Sequence, residues 1–569
     1  MDTNEWSYKA GCVVELDSMN YRSSIESLES RIAPAGLVLA TYNAVTRELT
    51  ITGDDSSNSV AVYQTGPTTW RVEGKEDAAL VNTSINVVGD ERLEIGAIAK
   101  LTVLMAGGDD IVELINLRAL KSLSVDTGAG ADVVETMGLV VKGNATLSMG
   151  AGLDTVDLDG LVAAISGNLS VTDGGDGLTF TFGAANSTIG GSVQFTGGAG
   201  ADALLMATDT NLKIGKQVEF NGNGGLDRLE FGSQGTVSIG RDRLGRSVIY
   251  QGGSAADRIG IGSSKVALLG SVEMTGAGGN DTLDIDGGLV SVGRSVAGVS
   301  VFLDGGQGAD QIDLQGSSFT ALGQVFLDGG TEADKLDLTG AHRLVLKAGV
   351  RVEGGAGADL LDISADSLAV TGSVQFNGGD DADTAIIKGD GTITGAVSLV
   401  LGAASSGVQS ADIRSRSGLP GSLKISGAVT VDATLESATT LDFAKLTNIK
   451  VGGAVSLLMG EGASSVDIDN IVVGGAFTID TRGGTDDVQI ERDATFGTSL
   501  FRKLATIMLG GGTDTLFIGK DSKNNRAVFM ADVSADGGAG TDSRNDISVD
   551  NKFGPAAAYT ETAFETLVV

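Results

Sequence analysis

The chain has 569 residues, among them 86 Gly and only 4 Pro; 41% of its residues are hydrophobic and 4% aromatic. That apolar share argues against a disordered polar chain, and so much glycine without a collagen triplet demands many tight turns. The formal net charge is −34, from 73 acidic and 39 basic residues, which argues against nucleic acid or anionic membrane as partners and makes divalent cations the natural ones.

Residues 1–35 read as a poorly ordered leader. The start "MDTNEWSYKAGCVVELDSMN" has no basic stretch followed by an apolar one, and the apolar run after Arg31 is broken by Pro34 and Gly36. No run reaches the roughly 18 apolar residues of a membrane helix, so no transmembrane segment is expected. Cys12 is the single cysteine, which excludes an intrachain disulfide. Residues 36–105 carry less glycine and contain the strand-like "ELTITG" and "VAVYQTG", as expected of an N-terminal cap or irregular β coils.

From 106 to 549 one unit recurs. A glycine turn closed by aspartate appears as "GAGAD" at Asp132, "GAGLD" at Asp154, "GGAGAD" at Asp202 and Asp359, and "GGQGAD" at Asp310. Further copies end at Asp227, Asp257, Asp281, Asp334 and Asp383, and late ones at Asp487, Asp514 and Asp542. From Asp202 to Asp383 the successive intervals are 25, 30, 24, 29, 24, 25 and 24 residues. Between about Gly389 and Asn470 the turn is degraded while the strand pattern continues.

Each unit holds three short alternating segments: one before the turn (Val193, Phe195), one after the aspartate (Ile312, Leu314), and one closing the unit before a glycine (Val237, Ile239). Alternation at period two puts paired apolar residues on one face. Three such faces joined by corners enclose a narrow apolar core. The expected fold is all-β, a right-handed parallel β-solenoid with three short strands per coil of about 24 residues. Sixteen to eighteen such coils would make a rod on the order of 80 Å long. The segment 550–569 differs in composition and reads as a C-terminal tail or cap.

The aspartate turn has two readings. In one, the carboxylate accepts bonds from turn amides and needs no metal. In the other, Asp132, Asp154, Asp202, Asp281, Asp310, Asp334, Asp359, Asp383, Asp514 and Asp542 stack one strand apart, repel one another, and call in Ca2+. The turns resemble those of RTX-type calcium-binding β-rolls, although here the turn comes once per coil rather than every nine residues. A second acidic column, Asp284, Asp313, Asp337 and Asp362, is expected to form a solvated face.

No catalysis is expected; the alternatives are an adhesin that meets a glycan or protein through insertion loops and, less favoured, a polysaccharide-active β-helix enzyme. His342 is the one histidine, placed on a corner, and no nucleophile elbow, phosphate loop or zinc spacing occurs. Two longer corners, "GRDRLGRSV" at 240–248 and "GAASSGVQSADIRSRSGLPGS" at 402–422, carry Arg241, Arg243, Arg246, Arg414 and Arg416. They are either solvated insertions or contacts for an acidic surface glycan, and self-association is the other partner class.

The stretch "IESLESRIAPAG", Ile25 to Gly36, resembles the N-terminal motif of large exported proteins of Planctomycetota and Verrucomicrobiota, with Leu28, Glu29 and Arg31 matching and Ser30 in place of the usual Pro. The segments "LTITGDDSSNSVAVYQ" and "LTVLMAGGDDIVEL" are similar to openings of their β-strand repeat proteins. The resemblance implies export to the cell surface or beyond and a role in adhesion, envelope or matrix. It supplies no catalytic residues.

Overall fold

The computed structural model describes residues 36–567 apart from 77–82, 88–89, 119, 185–186, 209–210, 435–440, 493–496, 520–525 and 548–550. The leader with Cys12 and the motif that begins at Ile25 lie outside the described residues. The described chain forms a parallel β-solenoid of about 17 turns, in which each strand pairs with its counterpart one coil away. Val299–Gln307 runs beside Gln324–Thr331, matching Val301 to Val325 and Leu303 to Leu327. Gln311–Ala321 runs beside Lys335–Leu346, matching Ile312 to Leu336 and Leu314 to Leu338.

The three predicted segments are present, but the joint between the second and third is softer than a break. In the middle coils the two are one long bent strand, such as Thr282–Val292, and the ladder between Gln311–Ala321 and its neighbour shifts register between Gly316 and Ser318. After Val408 they separate, as in Val408–Arg414 and Leu423–Ile425.

Alternation puts every second residue inside, and one buried apolar cluster runs from Val38 to Ile547. Identical positions stack: Phe195, Phe220 and Tyr250 lie ring on ring with centroids 4.7 and 5.2 Å apart. Burial of one such side chain is worth about 1.5–3 kcal/mol, and an aromatic stack adds about 0.5–1.5 kcal/mol. A single coil has nothing to bury against, so this energy exists only between neighbours.

The first described strands are antiparallel. Leu37–Asn43 pairs with Glu48–Thr52, and Thr69–Gly74 pairs with both Ser59–Gln64 and Arg92–Gly96, around a buried Trp70. Glu48–Thr52 then pairs in parallel with Lys100–Leu104, which hands the hairpin over to the array. Such hairpins cover an open edge that would otherwise template another chain. Past residue 550, Tyr559–Thr562 pairs with Val533–Asp536 and Thr566–Leu567 with Ser543–Arg544, so this compositionally distinct segment adds one more coil. No helix among the described residues is long and apolar enough to cross a membrane.

Candidate functional site

Because each second strand starts right after its aspartate, the strand register brings the aspartates into one column. Asp132, Asp154, Asp202, Asp281, Asp310, Asp334, Asp359, Asp383, Asp514 and Asp542 all stand in it, none more than 3% exposed. Asp110, Asp227 and Asp257 join them. In the late "GGTDD" turn the member is Asp486 and not Asp487, since it is the Asp486 amide that bonds Asp514 Oδ1. The column is interrupted by Leu178, Gln409 and Ser464, which stand opposite aspartates in the register.

The carboxylates form a hydrogen-bonded ladder along the rod. The Asp310 N–H donates to Asp334 Oδ1 at 2.7 Å, Asp334 to Asp359 at 2.8 Å, and Asp359 to Asp383 at 2.9 Å. The same bond links Asp202 to Asp227, Asp227 to Asp257, Asp257 to Asp281, and Asp281 to Asp310. It begins in the cap, where the Asn58 N–H donates to Asp110, and finishes where the Asp542 N–H donates to Glu565 Oε2 at 2.7 Å. Every carboxylate thus reaches back to the coil before it. A corner amide that falls outside the strand ladder would otherwise be a buried donor without a partner, at a cost of about 1–3 kcal/mol.

The glycines follow from the same geometry. A Cβ on Gly305 would land on Asp310 Oδ2 and on the carbonyl oxygen of Gly329 in the next coil, so only hydrogen fits. Gly306 has φ +103°, and a Cβ there would meet the carbonyl of Ala277 in the coil before. The first glycine makes room for the carboxylate and the second supplies a left-handed backbone.

The second oxygen, Oδ2, is the chemically unsettled atom. In Asp202 and Asp257 it accepts an N–H from its own turn, at 2.8 Å from Gly198 and 2.9 Å from Gly253. In Asp227, Asp281, Asp310, Asp334, Asp359 and Asp383 it is buried without a hydrogen-bond partner. A bare carboxylate oxygen beside a carbonyl oxygen is repulsive, and adjacent ionised carboxylates about 5 Å apart repel by roughly 3 kcal/mol at an effective dielectric of 20. Burial, partly offset by the accepted amide bonds and reinforced by neighbouring aspartates, pushes Asp227, Asp281 and Asp334 up to about 7 and Asp383 up to about 8. Asp310 and Asp359 rise to about 6 from burial. Protonated, Oδ2 becomes a donor aimed into the space it shares with the glycine carbonyl, while Oδ1 keeps its amide.

Calcium takes about six to eight oxygens. Each turn presents one free carboxylate oxygen and one carbonyl in that space, the other carboxylate oxygen being held by an amide. Among the described residues no group of three or more His, Cys, Asp or Glu converges as a metal site. A single turn thus offers fewer oxygens than calcium takes, while one proton satisfies Oδ2.

The second acidic column is less solvated than its outward orientation implies. Asp313 and Asp337 are buried because neighbours fold over them, Gln311 Nε2 onto Asp313 Oδ2 at 2.5 Å and the Lys335 ammonium onto Asp337. Burial, with the charges of Asp286 and Asp313, pushes Asp284 up to about 6. His342 stands exposed with Nδ1 3.2 Å from Asp366, and Arg416 also reaches Asp366, at 2.8 Å.

The candidate cation residues named from the sequence leave out Asp110, Asp227, Asp257 and Asp486, yet the same amide bonds place all four in the ladder. Sequence reasoning also passed over the corner loop at 293–298, although the 29-residue interval from Asp281 to Asp310 marks an insertion there. Neither a protein-family model nor a curated protein matches this chain.

Proposed function

We propose that the chain is an exported, non-catalytic structural rod of the cell surface or extracellular matrix. The observation that carries this reading is the aspartate–amide ladder, which runs from Asn58 to Glu565 with few interruptions and spends the most perturbed carboxyl groups on holding coils together. Carboxyl groups with raised affinity for protons are what general acids need, but these are sealed inside the rod, away from any substrate. Export is supported by the resemblance of the Ile25 to Gly36 stretch to the N-terminal motif of exported proteins. Antibodies raised against the purified chain should label intact cells. Labelling that requires permeabilised cells would refute the placement.

Calcium binding in the turns is the second reading, favoured by the unpartnered Oδ2 oxygens. Proton and cation compete for the same oxygen, so one titration separates them. With protons in place, the chelator-treated chain melts at the same temperature when calcium is added and melts higher when the solution is acidified toward pH 5. Several bound ions with a melting point rising by many degrees at pH 7 would favour calcium.

A further inference from the structure

Two corner loops, 240–245 and 293–298, stand two coils apart and are built alike. In the first, the Asp242 N–H donates to the Arg246 carbonyl at 2.9 Å; in the second, the Ser295 N–H donates to the Val299 carbonyl at 2.7 Å. Behind each lies a buried serine. Ser247 Oγ donates to the Gly240 carbonyl and accepts the Gly270 N–H at 2.7 Å, while Ser300 Oγ donates to the Gly293 carbonyl and accepts the Gly323 N–H at 2.5 Å. The loops meet across the short corner between them, where the Val296 N–H donates to the Leu244 carbonyl at 2.8 Å. Both are thus fixed by hydrogen bonds to the rod and to each other.

Between them opens a cleft of about 510 Å³ lined by Arg241, Arg243, Arg294, Asp242 and Ser295. The three arginines are exposed, and among the described residues none of them forms an ion pair. Asp242, the one acid in the lining, is already matched: its Oδ2 accepts from Arg246 Nε at 2.9 Å and its Oδ1 from the Arg246 backbone N–H at 2.8 Å. A chain of net charge −34 therefore gathers three uncompensated guanidinium groups in one preformed concavity. Leu244 and Val296 are exposed apolar residues of the same two loops, 58% and 80% accessible.

We propose that this cleft binds the carboxylate or sulfate groups of an acidic polysaccharide. Guanidinium forks match planar or tetrahedral oxyanions with paired hydrogen bonds. The surrounding negative charge weakens the hold on any polyanion, so the fitting ligand is one whose hydroxyl-rich chain adds contacts with the loops beside its anions. The exposed Leu244 and Val296 suit the C–H face of a sugar ring. The inference goes beyond the structural-rod reading and does not depend on it, since a rod that fails to bind glycan still folds and still labels at the surface.

The test is affinity electrophoresis of the full chain through gels containing polygalacturonate, chondroitin sulfate, neutral dextran or single-stranded DNA. It is run beside the Arg241→Gln/Arg243→Gln/Arg294→Gln variant and an Arg92→Gln control in the N-terminal hairpins. The expected result is retardation by one or both acidic glycans and not by dextran, weakened at least tenfold in the triple variant at unchanged melting temperature and unaltered in the control. Retardation by polygalacturonate alone assigns carboxylate, and by chondroitin sulfate alone sulfate. No retardation, equal retardation of the triple variant, or stronger retardation by DNA overturns the proposal. If the triple variant melts lower, the single Arg243→Gln variant decides by the same criterion.

Discussion

The coils from Asp202 to Asp383 and those from Thr384 to Asn470 share one backbone path and differ in what fills it. In the first stretch every aspartate amide from Asp202 to Asp359 finds the next carboxylate. In the second the column positions are Gln409, Asp442 and Ser464, and Gln409 turns its Nε2 to the Gly402 carbonyl at 3.2 Å. The core thins at the same place. Ile259, Leu283, Ile312, Leu336 and Leu361 stack in one column, which continues as Ala385, Ala411 and Ala444. Parallel pairing alone keeps a coil in line, whereas the ladder and large apolar side chains add stabilising contacts to it. The stretch from 384 to 470 should open first.

The largest break in this comparison comes from Asp334→Ala, which orphans the Asp310 amide and leaves a void. It should cost about 2–4 kcal/mol, against about 1 kcal/mol for Gln409→Ala, read as shifts in the urea midpoint. Next comes pH. A free aspartate titrates near 4, and one held near 7 in the column binds its proton more tightly when folded. That stability is complete below the unfolded value and is lost as pH rises through 6 to 8. The melting temperature should fall by several degrees from pH 5 to pH 9, and the Asp334→Asn/Asp359→Asn/Asp383→Asn variant should flatten that slope; a slope of the opposite sign would show that the column is ionised.

Gln409→Asp should sharpen the contrast by mending it. The new carboxyl offers Oδ1 to the Asp383 amide, a gain on the order of 1 kcal/mol at pH 5 and less at pH 8, measured by the same denaturation. The smallest effect is expected inside the regular stretch. Ala277 occupies the second-glycine position at φ +82°, so Ala277→Gly relieves a left-handed alanine and should stabilise by about 0.5 kcal/mol after the entropy of glycine is counted.

Much of the fold was legible in the residues themselves. Period-two alternation identified the inward residues, and the recurring 24- and 25-residue intervals set the register that stacks Asp310, Asp334 and Asp359. Alternation says nothing about a corner, however, so it could not tell whether an aspartate bonds its own turn or the coil before it. The answer depends on the glycine before it, whose missing side chain admits the carboxylate. The burial of Asp313 and Asp337 was illegible for another reason: it is made by long neighbours folding over them. Arg294 was hidden because "GRSVAGVSV" carries one charge, and only its placement beside Arg241 gives that charge a partner.

The ladder has a direction, since each carboxylate caps the amide of the coil before it. During synthesis from the N-terminus, the newest coil always holds the one amide still waiting, and the next coil to emerge supplies its acceptor. The hairpins at 37–96 then act as a template, and growth proceeds as a zipper that closes one way, each turn completing its predecessor before its successor exists. Because strand partners lie only some two dozen residues apart, the ribosome need release little chain before each closure, and a long rod is spared the slow search that distant strand pairing imposes.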